Sequence, residues 1–130
     1  MATLDDVARI AEALPEVTVG ERYGNRTWFA GGEAFAWERP FSKADIKRFG
    51  EETPPKGAIV AVRVTDLAAK EAALAADPIA FFTIAHFDGY AAILIQLPRV
   101  TLRALTLALR DGWEASAPVP SMAAGRKRKR

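Results

Sequence analysis

The sequence contains no cysteine and a single histidine among its 130 residues. The absence of cysteine excludes disulfides, zinc–thiolate sites, iron–sulfur clusters and cysteine nucleophiles. No apolar run reaches the ~18 residues that a membrane-spanning helix needs, and the first residues do not form a basic segment followed by an apolar one. We therefore expect one cytoplasmic domain that does not enter a membrane.

The usual signatures of catalysis are missing as well. The chain has no glycine-rich phosphate loop, no Gly-x-Ser-x-Gly elbow and no His-Glu-x-x-His motif. A metal site would need ligands that the sequence does not supply as a cluster. We predict a protein that is not an enzyme, has no catalytic residues and binds neither a metal nor another cofactor.

Positive charge is concentrated at one end of the chain. The last five residues are all cationic: Arg126, Lys127, Arg128, Lys129 and Arg130. They account for more than the whole net charge of +2, and without them the chain carries a net charge of −3. Two prolines precede this run, so we predict an ordered domain over residues 1–117 and a disordered basic tail over residues 118–130.

Capping residues predict four helices. Their expected N-caps are Thr3, Ser42, Thr65 or Asp66, and Thr101. At the first two, an aspartate three residues later completes a capping box. The last helix carries an apolar stripe at spacings of three and four residues, so one of its faces should pack against a sheet.

Strand patterns lie between these helices. Residues 58–64 form a β-branched run that is typical of a central strand. Residues 17–25 contain two glycines, and we interpret them as an extended segment that bends rather than as a regular strand. With two hairpins, the elements predict an α+β fold: an antiparallel sheet of about five strands with the helices packed on one face.

The first hairpin is predicted around the two glycines at positions 31–32, which favour a primed turn. Counting outward from that turn pairs Trp28 with Phe35 and Arg26 with Trp37. The first pair would be an aromatic cross-strand contact, and the second a cation–π contact.

The second hairpin is predicted over residues 81–97, where two apolar runs meet at Asp88 and Gly89 and favour a type I′ turn. In that register Phe87 faces Tyr90. The opposite side is almost purely apolar and should lie on the core; it carries Phe82, Ile84, His86, Ala91, Ile93, Ile95 and Leu97. A shift of one residue would exchange the two sides.

Four segments, taken in their order and spacing, carry a family resemblance. They are Ala13-Leu14-Pro15, Trp28-Phe29-Ala30-Gly31-Gly32-Glu33-Ala34-Phe35-Ala36-Trp37, Pro40-Phe41-Ser42-Lys43-Ala44-Asp45 and His86-Phe87-Asp88-Gly89-Tyr90. On these segments the chain resembles the MmcQ/YjbR family, over roughly residues 4–117. The resemblance implies a CyaY-like fold, also described as a double-wing DNA-binding arrangement.

Basic residues are one candidate binding group. Arg39, Lys43, Lys47 and Arg48 are the densest basic group of the domain and have the charge to contact phosphates. Nearby acidic residues make a solvated surface of mixed charge the alternative. The cationic tail would bind nucleic acid without reading its sequence, or would only keep the protein soluble.

Aromatic residues are the other candidate group. Phe87 and Tyr90 are able to stack on bases, or on each other to cover the sheet. His86 is either a proton donor or base contact, or a structural residue that donates a hydrogen bond to its neighbours, and we favour the structural interpretation. Together with Trp37 these residues would form a surface for a ligand or a partner.

These candidate groups lead to two hypotheses about the function of the protein. The leading hypothesis is a monomeric, non-catalytic module that binds DNA weakly and without sequence preference. The alternative is a domain that binds a protein or a small ligand through the aromatic surface. A pocket enclosing Trp37, His86 and Tyr90 would favour the alternative, whereas a continuous positive face would favour DNA.

Overall fold

A computed structural model describes residues 2–51 and 57–116. The elements follow in the order α1 (Leu4–Glu12), β1 (Val17–Arg22), β2 (Asn25–Ala30), β3 (Glu33–Glu38), α2 (Lys43–Phe49), β4 (Ile59–Arg63), α3 (Leu67–Ala76), β5 (Phe81–Phe82), a 3₁₀ turn (Ala85–Phe87), β6 (Ala92–Gln96) and α4 (Leu102–Ser116). The predicted basic tail, residues 118–130, lies outside the described residues.

The six strands of the described residues form one open antiparallel sheet in the order β1-β2-β3-β4-β6-β5. The α+β fold class is therefore confirmed, and β4 occupies the inner position that its β-branched sequence predicts. The prediction that residues 17–25 form a bent segment rather than a regular strand is wrong, because β1 pairs with β2 along its whole length. Its second glycine, Gly24, forms a two-residue turn with Tyr23, in which both residues have positive φ.

The predicted N-terminal caps of α1 and α2 are confirmed. The Thr3 hydroxyl accepts from the Asp6 amide at 3.2 Å, and the Asp6 carboxylate accepts from the Thr3 amide at 2.9 Å. Ser42 and Asp45 repeat the arrangement at α2, at 3.1 and 2.9 Å. Each box satisfies two amides that a helix start leaves without partners.

Helices α1, α3 and α4 cover one face of the sheet, where the main core lies. The largest side chains fully buried there are Trp28, Phe35, Ile93, Ile95, Leu97, Leu105 and Leu109. Helix α4 approaches the sheet closely at Gly112, where a Cβ atom would lie 2.7 Å from Val62 Cγ1 and 2.9 Å from the Arg63 carbonyl oxygen. Helix α2 instead contacts the 3₁₀ turn.

The first hairpin has the predicted turn but not the predicted register throughout. Both turn glycines have positive φ, at 61° and 83°. The pairing then shifts between Trp28 and Phe29, so Trp28 lies opposite Ala36, and Trp37 lies opposite Thr27. The predicted pairs of Trp28 with Phe35 and of Arg26 with Trp37 are therefore wrong. The Arg26 guanidinium lies 5.8 Å from the Trp28 ring centroid instead.

The second hairpin is wrong in its register and in its turn. Phe82 pairs with Leu94, one residue away from the predicted partner, and the strand ends there. Asp88 has φ −60° and ψ 130°, so it does not adopt the positive φ of a type I′ turn. The shift moves Phe82 and Ile84 to the sheet face opposite the helices, whereas Ile93, Ile95 and Leu97 lie in the main core as predicted.

Within the described ranges, the protein has no helix that is both long enough and apolar enough to cross a membrane.

Candidate functional site

A cleft of about 990 Å³ opens on the sheet face that carries the second, smaller apolar cluster. Four parts of the chain form its walls: the β1–β2 turn, the inner strands, the Arg39–Arg48 segment with α2, and the His86–Tyr90 segment. Because these parts are distant in sequence, the cleft exists only in the folded chain. We call it the aromatic–arginine cleft.

Three aromatic rings form one wall of the cleft. The Trp37 ring centroid lies 6.4 Å from that of Phe87 and 6.4 Å from that of Tyr90, and Phe87 and Tyr90 meet edge to face at 5.5 Å. Phe87 is buried, Trp37 is half-buried and Tyr90 is 42% exposed. Phe87 therefore supports the wall from below, while Trp37 and Tyr90 keep part of their surface accessible to a ligand.

The shift in pairing between β2 and β3 places Trp37 in this wall. Phe35 and Ala36 both pack in the main core, so the alternation of side chains is interrupted by one residue. Regular alternation would put Trp37 on the same face as Phe35. The extra residue turns Trp37 to the opposite face, beside Phe87 and Tyr90.

A buried lysine holds the other two rings in place. Lys70 of α3 is 6% exposed, and its Nζ donates to the carbonyl oxygens of Phe87 at 2.6 Å and of Tyr90 at 2.8 Å. Burial lowers the pKa of Lys70, and the Asp88 carboxylate offsets part of that change. Lys70 thus fixes the backbone of the loop whose side chains form the cleft wall.

Arg39 and Asp45 join the end of β3 to α2. Arg39 Nη1 lies 2.9 Å from Asp45 Oδ2 and donates to the Pro40 carbonyl oxygen at 2.6 Å, and its guanidinium lies 5.6 Å from the Phe87 ring centroid. Burial alone would raise the pKa of Asp45, but the Ser42 amide and the Arg39 guanidinium together hold it below its usual value. Arg39 is therefore committed to a structural ion pair.

Three other arginines line the cleft with weaker partners. Arg48 Nη1 lies 3.7 Å from Asp45, and Arg63 Nη1 lies 3.9 Å from Glu33; both distances exceed hydrogen-bond range. The buried Arg63 Nε has no hydrogen-bond partner. The third, Arg22, is exposed at the β1–β2 turn. Asp45 is the one carboxylate of the described residues that lines this cleft, so the site is electropositive.

The structure unites parts of the two predicted binding groups. The cleft lining includes all four residues of the predicted aromatic surface: Trp37, His86, Phe87 and Tyr90. It also includes two members of the predicted basic group, Arg39 and Arg48, whereas the other two, Lys43 and Lys47, are exposed outside it.

The cationic residues 126–130 lie outside the described residues. His86 is exposed rather than on the core face, because the 3₁₀ turn rotates it away while burying Phe87.

Sequence reasoning missed Arg63 and Lys70. Arg63 alternates with Ile59 and Ala61 at a spacing of two, which places it at the end of the same strand face. Lys70 precedes Leu74 by four residues and so belongs to the apolar stripe of an alanine-rich helix. In each case, a single cation among apolar residues on one face of the element is the pattern that could have identified the residue.

The chemical groups that line the cleft are mainly aromatic rings and guanidinium groups. Among the residues that the structure describes, no three histidine, aspartate or glutamate side chains gather closely enough to hold a metal ion. Flat rings and guanidinium groups suit a ligand that has both a planar apolar part and negative charge.

Fold and cleft together define an α+β domain with an open antiparallel sheet, three helices on one face and, on the other, a cleft bordered by α2. No family model matches the chain. Sequence relatives are the uncharacterized proteins Rv2570 and MT2646 of Mycobacterium tuberculosis and Mb2600 of Mycobacterium bovis, each 42% identical over 121 residues and covering 91% of both chains. The chain belongs to the family of these mycobacterial proteins.

The fold has a solved counterpart in the crystal structure of Deinococcus radiodurans protein DR2400, which carries a DUF419 domain. The two structures superpose with a TM-score of 0.65, covering 98% of this chain and 84% of that one. Their sequences are 16% identical, so the similarity concerns the fold alone.

Proposed function

We propose that this chain is a non-catalytic binding domain that holds a small organic anion in the aromatic–arginine cleft. One observation carries the proposal: Trp37, His86 and Tyr90 line a single cleft together with arginines that have incomplete partners. An aromatic wall with a few convergent polar groups is typical of small-molecule sites. This is the alternative that the aromatic surface suggested at the level of sequence.

A thermal-shift comparison tests the proposal. Phenyl phosphate, phenol and inorganic phosphate are added to the wild-type protein and to the Trp37→Ala and Arg63→Met variants. At about 100 times its Kd, phenyl phosphate should stabilise the wild type by about 2.7 kcal/mol, which is about 5–10 °C in Tm for a domain of this size. Phenol and phosphate alone should stabilise it less. Phenol lacks the negative charge that the arginines would bind, and phosphate lacks the ring that the aromatic wall would contact.

The matched control is Lys47→Met, which removes an exposed cation outside the cleft. This variant should respond to phenyl phosphate like the wild type, whereas Trp37→Ala and Arg63→Met should respond less. If the wild type is not stabilised, or if all variants respond equally, the cleft is not the binding site.

DNA is the second candidate ligand, and an exposed basic face on α2 favours it. Lys43, Lys47 and Arg48 are exposed on that helix beside the cleft. We further propose that the family shared with the mycobacterial proteins is the MmcQ/YjbR family, on the segments quoted above and on the fold shared with DR2400. A double-wing arrangement is described for that family, which supports testing DNA directly.

Fluorescence anisotropy of labelled duplex and single-stranded DNA over a salt series is the appropriate assay. The full chain is compared with a chain ending at Pro120 and with a Lys43→Met, Lys47→Met double variant. Binding that persists without the tail, weakens in the double variant and falls with salt would assign DNA to the α2 face. Binding that disappears with the tail would remove DNA as a ligand of the folded domain.

A further inference from the structure

The arginines at the cleft differ in how far their guanidinium donors are already occupied by other residues of the protein. Arg39 already lies 2.9 Å from Asp45 and donates to a backbone carbonyl. Arg48 and Arg63 are 3.7 and 3.9 Å from their nearest carboxylates, so their guanidinium donors are not saturated there. The Arg63 Nε is buried without a hydrogen-bond partner, so the donors that Arg63 can offer a ligand are those at the end of its guanidinium group.

These donors come from separate elements, and this argues for an anion with several oxygens. Arg63 ends β4, Arg48 lies in α2 and Arg22 ends β1, and all three line the cleft. A phosphate group offers three strong acceptor oxygens and close to two negative charges, and guanidinium groups match its geometry. A carboxylate has fewer acceptor positions to satisfy donors that approach from different sides.

The opposite side of the cleft favours a flat ring. Trp37 is half-buried and Tyr90 is 42% exposed, and their rings are tilted by 47° rather than stacked on each other. Such rings keep area for a planar group, and base stacking on an aromatic side chain is worth about tenfold or more in affinity. Asn25 and Ser42 also line the cleft and offer hydrogen-bonding groups to the edge of a base.

We infer that the aromatic–arginine cleft binds one nucleotide unit, with its base against Trp37 and Tyr90 and its phosphate between Arg48 and Arg63. The inference rests on the proposed function and narrows it to one ligand class. The same chemistry is presented by a free mononucleotide and by a phosphorylated end of a nucleic-acid strand, and the experiment separates these sources.

Isothermal titration calorimetry of the full chain with AMP, adenosine and ribose 5-phosphate tests the inference. AMP should bind at least tenfold more tightly than either of its parts. Trp37→Leu should weaken AMP at least tenfold and leave ribose 5-phosphate unchanged. Arg63→Met should weaken AMP and ribose 5-phosphate at least tenfold and leave adenosine unchanged.

Two variants keep the result interpretable. Trp37→Phe retains a flat ring and should bind AMP within about threefold of the wild type, even if the leucine variant is poorly folded. Lys47→Met removes a nearby cation that does not line the cleft and should not change AMP affinity in a matched buffer. Loss of AMP binding in this control equal to the loss in Arg63→Met would overturn the inference, because only general charge would then matter.

A further pair of probes separates the possible failures. If phenyl phosphate binds and AMP does not, the nucleotide inference fails while the small-anion proposal survives; if neither binds, both fail. A 5′-phosphorylated trinucleotide of adenine that binds at least tenfold more tightly than AMP identifies a strand end as the source. If the trinucleotide and AMP bind with equal affinity, the free nucleotide is identified as the source. Either result supports the inference that the cleft binds one nucleotide unit.

Discussion

The two faces of the sheet use their residues in different ways. On the helix-covered face, Trp28, Phe35, Leu105 and Leu109 are each 0% exposed and contact other apolar side chains. On the opposite face, a smaller apolar cluster borders the cleft with its arginines and half-exposed rings. The first face supplies most of the apolar burial, which is the main source of folding free energy. The second face carries the groups that suit a ligand.

The two tryptophans of the first hairpin give the largest expected contrast. Trp28→Ala removes a fully buried ring from the main core and should lower the free energy of unfolding by about 4 kcal/mol, as measured by urea denaturation. Trp37→Ala should cost clearly less stability, because that ring is only half-buried. Equal losses at the two positions would show that the faces do not differ as described.

Substitution of Asp45 tests whether an ion pair stabilises the cleft face of the sheet. Asp45→Ala leaves the Arg39 guanidinium without its buried partner and should cost about 3 kcal/mol. Folding lowers the pKa of Asp45 below the usual 3.8. Its contribution is therefore complete above that value and is lost as the pH falls through the lower pKa of the folded state.

Urea denaturation at a series of pH values measures this dependence. The difference in stability between the wild type and Asp45→Asn should shrink as the pH falls below about 3.8. An exposed carboxylate, Asp5, provides the control, and Asp5→Asn should show a much smaller difference throughout. A difference for Asp45 that does not change with acidification would contradict the ion-pair interpretation.

Gly112 tests how closely the helices lie on the sheet. Alanine is favoured over glycine in a helix by about 1 kcal/mol, but its Cβ would lie 2.7 Å from Val62 and 2.9 Å from a backbone oxygen. Gly112→Ala should therefore destabilise the protein by about 2 kcal/mol. Thermal unfolding of this variant, with the exposed Asp111→Ala as the control, measures the effect. Stabilisation would mean that α4 is free to move away from the sheet.

Lys70 links the two faces and should give the smallest effect on stability. Lys70→Met removes one of the two donors to each of the Phe87 and Tyr90 carbonyls. Because the Tyr90 and Ala92 amides still donate to these oxygens, the net cost should be only about 1 kcal/mol. Hydrogen exchange should accelerate at the Ala92 amide, which donates to the Tyr90 carbonyl at 2.8 Å. Lys43→Met, an exposed counterpart, should leave exchange unchanged. Unaltered exchange in Lys70→Met would show that the loop holds its shape without the lysine.

Local features were predictable because their causes lie within a few residues. The Thr3 and Ser42 caps need only an aspartate three positions later, and the turn at residues 31–32 needs only two residues that tolerate positive φ. The inner strand β4 follows from its β-branched side chains. The sequence also predicts that Trp37, His86, Phe87 and Tyr90 share a surface, and all four line the cleft.

Features that depend on long-range packing were not predictable in the same way. A one-residue register shift moved Phe82 to the other face, and nothing near Phe82 distinguishes the two registers. The Asp88-Gly89 pair suits several turn types, and here the Lys70 contacts accompany a turn that carries a 3₁₀ segment before it. Lys70, which contacts this turn, lies 17 residues before Phe87 in the sequence, so a local pattern does not reveal the contact.

By itself, the sequence determined the helices, their caps, one hairpin turn and the α+β class, because short-range hydrogen bonding and periodicity act within a single element. Only the tertiary structure decided which side of the sheet Trp37 and Phe87 occupy and that Arg48 and Arg63 lie near them. The position of Trp37 depends on the extra residue in β3, and the loop that carries Phe87 is held by Lys70. The cleft is thus a product of how the elements pack together.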